Sequence, residues 1–280
     1  MGQKSPVAEH YFATVDGIRT HYVAAGEGPP LLLLHGLSAS LIAWAPNIEP
    51  LSQKFTVYAL DMPGRGDSDK PNIDYRVPAA AGFIKKFMDV LGIERASLAG
   101  CSMGGMIALR TALDYPDRVE NLVLVDAAGL GRELTWYVRF ASLPLVGEIL
   151  QTPSLRGTSA SLKYIFYNHS LIQEGFLHEI YRRRKLPGAK QAELKMIRGA
   201  VGLHGVHKQW IMTEDLRHLD IPILIVWGAQ DRIIPVNHAH NAAREAPGVK
   251  LHVFDQCGHW PQMEKSREFN QLVSDFLSEQ

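Results

Sequence analysis

The sequence predicts an α/β fold: a largely parallel β-sheet flanked by helices on both faces, with a helical cap inserted into it. Three observations carry this prediction. Short, continuous apolar runs recur along the chain at 31–34, 56–60, 96–99, 121–125, 223–227 and 251–254, the pattern of strands buried on both faces of a parallel sheet. Helical patterns separate many of them, and right-handed crossovers then place helices on both sides. The segment 131–218 breaks the alternation. It is helix-like, rich in Leu, Tyr and Arg, and interrupted at Pro144, Pro153 and Pro187.

The elements follow in order. Residues 10–15 and 18–23 flank Asp16-Gly17 and read as a hairpin, because Asp-Gly suits a tight primed turn. After the runs at 31–34 and 56–60, residues 77–91 carry apolar side chains at helical spacing, with Gly92 just beyond the end. The run at 96–99 leads into a helix over 103–115 that Pro116 stops. After the run at 121–125 comes the cap. The runs at 223–227 and 251–254 follow, and an amphipathic helix over 269–277 ends the pattern. The expected division is a core of 1–130 and 219–280 and a cap of 131–218.

Composition narrows the functional classes. The chain is 46% hydrophobic, and its 29 Lys and Arg balance 29 Asp and Glu. A neutral chain has no global field to draw in nucleic acid or an anionic membrane, so neither is expected as a partner. No stretch reaches bilayer-spanning length. Residues 1–9 are polar and lack the apolar run of a signal peptide. The two cysteines, Cys101 and Cys257, do not form a disulfide framework, and free thiols fit the cytoplasm. No His/Cys/Asp/Glu grouping has metal-ligand spacing, so no metal is expected. An exposed apolar cap face would suit a homodimer.

The chemistry concentrates at Gly100-Cys101-Ser102-Met103-Gly104, between an apolar strand and a helix. That context makes G-x-S-x-G a nucleophile elbow. A sharp strand-to-helix turn projects the Ser102 hydroxyl over the sheet, and flanking glycines let chain segments approach. Serine needs a base. Of the twelve histidines, His259 follows the last strand, where the order Ser, acid, His places it. Asp231, after the 223–227 strand, is the expected acid, with Asp126 its rival at the end of the 121–125 strand. The N–H of Met103 opens the helix and points to where an oxyanion would form. The loop Leu33-Leu34-His35-Gly36-Leu37 supplies a second donor at Leu37, with His35 buttressing it. The segment Asp61–Ser68 lacks phosphate-loop spacing and reads as a turn at the sheet edge. The basic run 182–185 reads as solvated cap surface.

His35-Gly36, Asp61–Ser68, Gly100–Gly105, Trp227–Asp231 and Gly258-His259 occur in this order, and together the chain resembles the α/β-hydrolase superfamily over nearly its whole length. The resemblance implies an eight-stranded, mostly parallel sheet, a helical cap and no cofactor. The stretch from Leu251 to Gln262, with Glu264 and the cap run Tyr164-Ile-Phe-Tyr-Asn-His-Ser-Leu-Ile172, is similar to the meta-cleavage product hydrolases, which cleave carbon–carbon bonds. Trp260 matches the tryptophan after their catalytic histidine, and Trp260, His35 and Gly36 are expected at the substrate pocket.

The chain departs from those enzymes at three places. Leu37-Ser-Ala-Ser40 replaces a glycine-rich oxyanion loop, Cys101 replaces the Asn before the nucleophile, and the cap arginine that grips a substrate carboxylate falls at Ile180. The expected function is therefore carboxylic ester hydrolysis through an acyl-enzyme, acting on a small-molecule ester. Carbon–carbon hydrolysis of 2-hydroxy-6-oxo-dienoates is the alternative. A slow-turnover ligand sensor on the same fold is the reading from another class. Dehalogenases and epoxide hydrolases of this fold use Asp as nucleophile, and Ser102 argues against both.

Overall fold

The computed structural model describes residues 8–279, so most of the polar stretch 1–9 lies outside the described residues. The strands are β1 (Glu9–Val15), β2 (Ile18–Ala25), β3 (Pro30–Leu34), β4 (Thr56–Leu60), β5 (Ala96–Cys101), β6 (Val119–Val125), β7 (Val201–Gly202), β8 (Gly205–Val206), β9 (Ile223–Gly228) and β10 (Lys250–Phe254). Eight of them form one sheet in the order β1-β2-β4-β3-β5-β6-β9-β10. β2 is antiparallel to both its neighbours, and every other neighbouring pair is parallel. The eight-stranded, mostly parallel sheet implied by the resemblance is present.

Continuous apolar runs are buried here because both faces of the sheet are covered. In β3, Leu31 and Leu33 pack into one core while Leu32 and Leu34 pack into the other, and none is exposed. Each such leucine contributes about 1.5–3 kcal/mol. The Asp16-Gly17 turn has positive φ at both residues, 53° and 78°, and pairs Val15 with Ile18, as the hairpin reading requires. The helix Val77–Val90 stops at Leu91, and Gly92 follows with φ 67°. That left-handed residue past the helix end is where glycine costs least.

The segment between β6 and β9 adds no strand to the main sheet. Its helices include Trp136–Ala141, Val146–Leu150, Leu155–Ile165, Glu174–Arg184 and Ala189–Ala200. The basic run 182–185 corrects the sequence reading, because it is not simply solvated. Arg183 donates to Ser40 Oγ at 2.6 Å and pairs with Asp67 at 3.1 Å, and Arg184 is buried against Gln151 at 3.1 Å. Successive residues on a helix point about 100° apart, so consecutive arginines serve different faces. Here two of those faces brace the cap. A buried ion pair, Arg65 Nη1 to Glu193 Oε2 at 2.8 Å, joins the turn after β4 to the cap helix Ala189–Ala200.

Candidate active site

Ser102 sits between β5 and the helix Met103–Asp114 with φ 57° and ψ −118°. A non-glycine residue held there costs about 1–3 kcal/mol and persists only where its surroundings fix it. They do. The Ser102 N–H donates to Val125 O at 2.9 Å, and its carbonyl accepts from Ala128 N and Gly105 N, both at 3.0 Å. A side chain at Gly100 would strike the Gly104 carbonyl, and one at Gly104 would strike the Leu34 carbonyl. The two glycines of the motif therefore let helix, β5 and β3 close up beneath the serine. Gly36 belongs to the same packing, since a Cβ there would lie 2.9 Å from Ser102 Cβ.

The loop after β10 carries His259 and the turn after β9 carries Asp231. His259 Nδ1 lies 2.7 Å from Asp231 Oδ2. The other Asp231 oxygen accepts the N–H groups of Ile233 at 2.7 Å and Ile234 at 3.2 Å. The turn thus fixes the carboxylate, and the carboxylate fixes the ring with its proton on Nδ1. Nε2 is left as the basic nitrogen. Among the described residues no hydrogen bond joins Ser102 Oγ to His259, but both line one cavity.

Asp126, the rival acid, makes no hydrogen bond to His259, whose Nδ1 pairs with Asp231 instead. It is fully buried, and its Oδ1 accepts the Gly228 N–H at 3.0 Å. Its ligand atom falls within 4.8 Å of those of Asp231 and His259, and Asp126 does not line the cavity that holds Ser102. Burial, then the Asp231 charge, raises its carboxyl well above the usual range. Both Asp231 oxygens and His259 Nδ1 are engaged with each other or with backbone N–H groups. The same holds for Asp61, which accepts from Asp67 N and bonds His21.

The cavity over Ser102 measures about 490 Å³. Leu37 and Met103 line it beside Ser102, and so does Trp260, whose ring packs edge-on to Phe166 at 5.6 Å. Met103 opens its helix, so its N–H has no intrahelical acceptor. His35 and Gly36, expected at the substrate pocket, are not among the residues lining this cavity and instead line a smaller neighbouring one that shares Met103 with it. His35 faces inward: Nδ1 bonds Gly36 O at 2.8 Å and Nε2 accepts the Met62 N–H at 3.1 Å. Burial lowers its pKa to about 4, and the neutral ring splints two loops. Leu134, Val138, Leu150, Val201 and Ile233 make much of the wall, and among the described residues no Lys, Arg, Asp or Glu lines it. Ile180 is buried in the cap, and neither Arg183 nor Arg184 reaches the cavity.

Two contributors escape sequence reading. Glu193, on the cap, accepts the Ser38 hydroxyl next to Leu37 as well as the Arg65 guanidinium. Its charge is stabilised: burial works against it, but Arg65 and Arg184 outweigh that and depress its pKa. Glu264 accepts the Gly258 N–H in the His259 loop and the Tyr167 and Asn168 N–H groups of the cap. Partners so distant in sequence leave no local signal.

A family model described as the alpha/beta hydrolase fold matches residues 29–266. The chain is 34% identical over 277 residues to the dihydrolipoyllysine-residue acetyltransferase component of the acetoin cleaving system of Cupriavidus necator, covering 99% of this chain and 71% of that one. It is 33% identical to a 2-hydroxy-6-oxo-6-phenylhexa-2,4-dienoate hydrolase of Comamonas testosteroni, covering 92% and 90%. A solved meta-cleavage product hydrolase from Pseudomonas fluorescens IP01 superposes with TM-score 0.83 at 30% identity, covering 96% and 97%. These hydrolytic relatives side with the carbon–carbon alternative rather than the ester reading. Fold, family model and relatives agree on the level above both: the chain is a hydrolase and belongs to the α/β-hydrolase family.

Proposed function

We propose that the protein hydrolyses uncharged carboxylic esters with an apolar acyl group through an acyl-enzyme on Ser102. The observation that carries this reading is the wall of the cavity, which is apolar and without a charged carboxylate partner. A dienoate carries a carboxylate into the site, and burying that charge unpaired is costly by several kcal/mol. An ester asks only for a nucleophile, a base, an oxyanion hole and apolar room.

In this reading Ser102 attacks the ester carbonyl as His259 Nε2 takes its proton, and Asp231 stabilises the imidazolium. The N–H groups of Leu37 and Met103 hold the tetrahedral oxyanion, each contributing about 3 kcal/mol. His259 then protonates the departing alcohol and activates water against the acyl-enzyme. Two buried free thiols, Cys101 and Cys257, suit the cytoplasmic location read from the sequence.

Carbon–carbon hydrolysis is the second reading, favoured by the named relatives. The ratio of kcat/KM for p-nitrophenyl butanoate to that for a 2-hydroxy-6-oxo-dienoate separates the two, with Ser102→Ala as control. The ester reading expects a ratio well above one. A ratio well below one overturns it in favour of the relatives' chemistry. Product that stops at one equivalent identifies a sensor instead.

A further inference from the structure

Two short cap helices turn large apolar side chains outward. Trp136 and Phe140 lie one turn apart, with rings 6.1 Å from each other. Leu145 and Ile149 are likewise one turn apart, the Ile149 N–H donating to the Leu145 carbonyl at 3.2 Å. Their exposures are 60% for Trp136, 42% for Phe140, 78% for Leu145 and 74% for Ile149. Trp136 and Ile149 also line the cavity that holds Ser102 and His259. The patch is therefore the rim of the cavity mouth.

Leu145 makes the arrangement costly to the fold. It is a leucine in the left-handed region, φ 66°, where a bulky residue is strained by about 1–3 kcal/mol. Nothing is recovered by burial, because its side chain stands in solvent. Strain that holds an apolar side chain in water points to an occupant outside the chain.

The charges of the chain segment that carries the patch say which occupant fits. Between residues 134 and 165 lie three cations, Arg139, Arg156 and Lys163, and one anion, Glu148. The anion is already paired with Arg198 at 2.8 Å. The chain is neutral as a whole, so its cationic excess here is local, and the expectation of no membrane partner rested on the total. Apolar side chains flanked by cations form the footprint of a protein that lies on an anionic lipid surface. A protein partner or second copy seated on the rim would close the only purpose of a mouth, whereas a lipid layer can deliver apolar substrate through it.

We infer that this rim docks the enzyme on the surface of a phospholipid layer carrying anionic headgroups, from which apolar esters enter the cavity. The substrate half rests on the ester reading, and the docking half does not.

Co-sedimentation of Ser102→Ala protein with phosphatidylcholine–phosphatidylglycerol vesicles tests it, against vesicles of phosphatidylcholine alone. The mixed vesicles should retain the protein more strongly. Adding Phe140→Ser and Leu145→Ser should weaken that binding at least about tenfold. In the otherwise native enzyme the same pair of changes should leave the melting midpoint and kcat/KM for soluble p-nitrophenyl acetate unchanged. No binding to mixed vesicles, or binding indifferent to the double change, overturns the inference. A dimer by light scattering that the double change dissociates overturns it too, making the rim a contact between copies. Rim-dependent vesicle binding by an enzyme that cleaves no ester would sink the ester reading and leave the docking surface standing.

Discussion

The backbone N–H of His259 donates to the carbonyl of Ile165 at 2.8 Å, so the histidine that shares a cavity with Ser102 is tied to the cap. Glu264 reinforces the tie. Its Oε1 accepts the Gly258 N–H at 2.8 Å, and its Oε2 accepts those of Tyr167 at 2.8 Å and Asn168 at 2.9 Å. Cap position and imidazole position are thereby one mechanical quantity.

Glu264→Gln should expose that coupling. A neutral amide has one acceptor oxygen for three N–H groups, and each bond to a charged acceptor is worth about 1.5–3 kcal/mol. We expect a lower melting midpoint and roughly a tenfold loss of kcat. Unchanged kcat in a destabilised variant would show that the staple supports the fold alone.

Glu193 tests the other catalytic loop. It joins Arg65 and the Ser38 hydroxyl, and Ser38 has φ 56° beside Leu37. Glu193→Gln leaves Arg65 buried without its counter-charge, which costs about 3–5 kcal/mol. Thermal unfolding should register that loss. If Leu37 supplies the proposed oxyanion donor, steady-state kinetics should show kcat falling more than KM rises, because that hydrogen bond strengthens as negative charge develops in the transition state.

Asp126 and Asp231 are separable by substitution. Burial, then the Asp231 charge, raises the Asp126 carboxyl well above the usual range, so the uncharged Asp126→Asn should keep activity within about threefold. Asp231→Asn leaves His259 without its orienting carboxylate and should lower kcat by about 10⁴-fold. The reverse ranking in kcat would make Asp126 the functional acid.

His35 sets an acid limit on stability. Its pKa is lowered from 6.5 to about 4, chiefly by burial. Below pH 6.5 the unfolded chain takes up a proton that the folded ring refuses until about pH 4. Stability contributed by the neutral ring is therefore lost as pH falls across that window, by about 3 kcal/mol. Asp61, lowered to about 2 from 3.8, acts only below it. Compared with His35→Asn, the native protein should lose stability between pH 6.5 and 4, and a difference in denaturation midpoint that stays constant across that window would contradict the assignment.

Much of this site was legible in the chain because it is local. The elbow needs Gly100, Ser102 and Gly104 within one turn, and Asp231 and His259 each follow a strand whose apolar run marks its end. The Asp16-Gly17 hairpin was equally legible, since one dipeptide fixes both left-handed residues. What stayed hidden depends on pairs distant in sequence. Nothing around Glu193 announces Ser38, and nothing in 182–185 tells which arginine faces Ser40. The direction of His35 stayed hidden for a related reason: a residue beside the nucleophile can face the core, and its adjacency in sequence does not give its direction. That no arginine lines the cavity could be read only when Ile180 and Arg183 were located together.

The most direct test of the account is to trap the intermediate. Native protein quenched in acid during turnover of p-nitrophenyl butanoate should carry one butanoyl group on the peptide that contains Ser102, seen by mass spectrometry. Ser102→Ala protein should carry none. Steady turnover of the ester without an adduct, or with an adduct on another residue, would contradict covalent ester hydrolysis at Ser102.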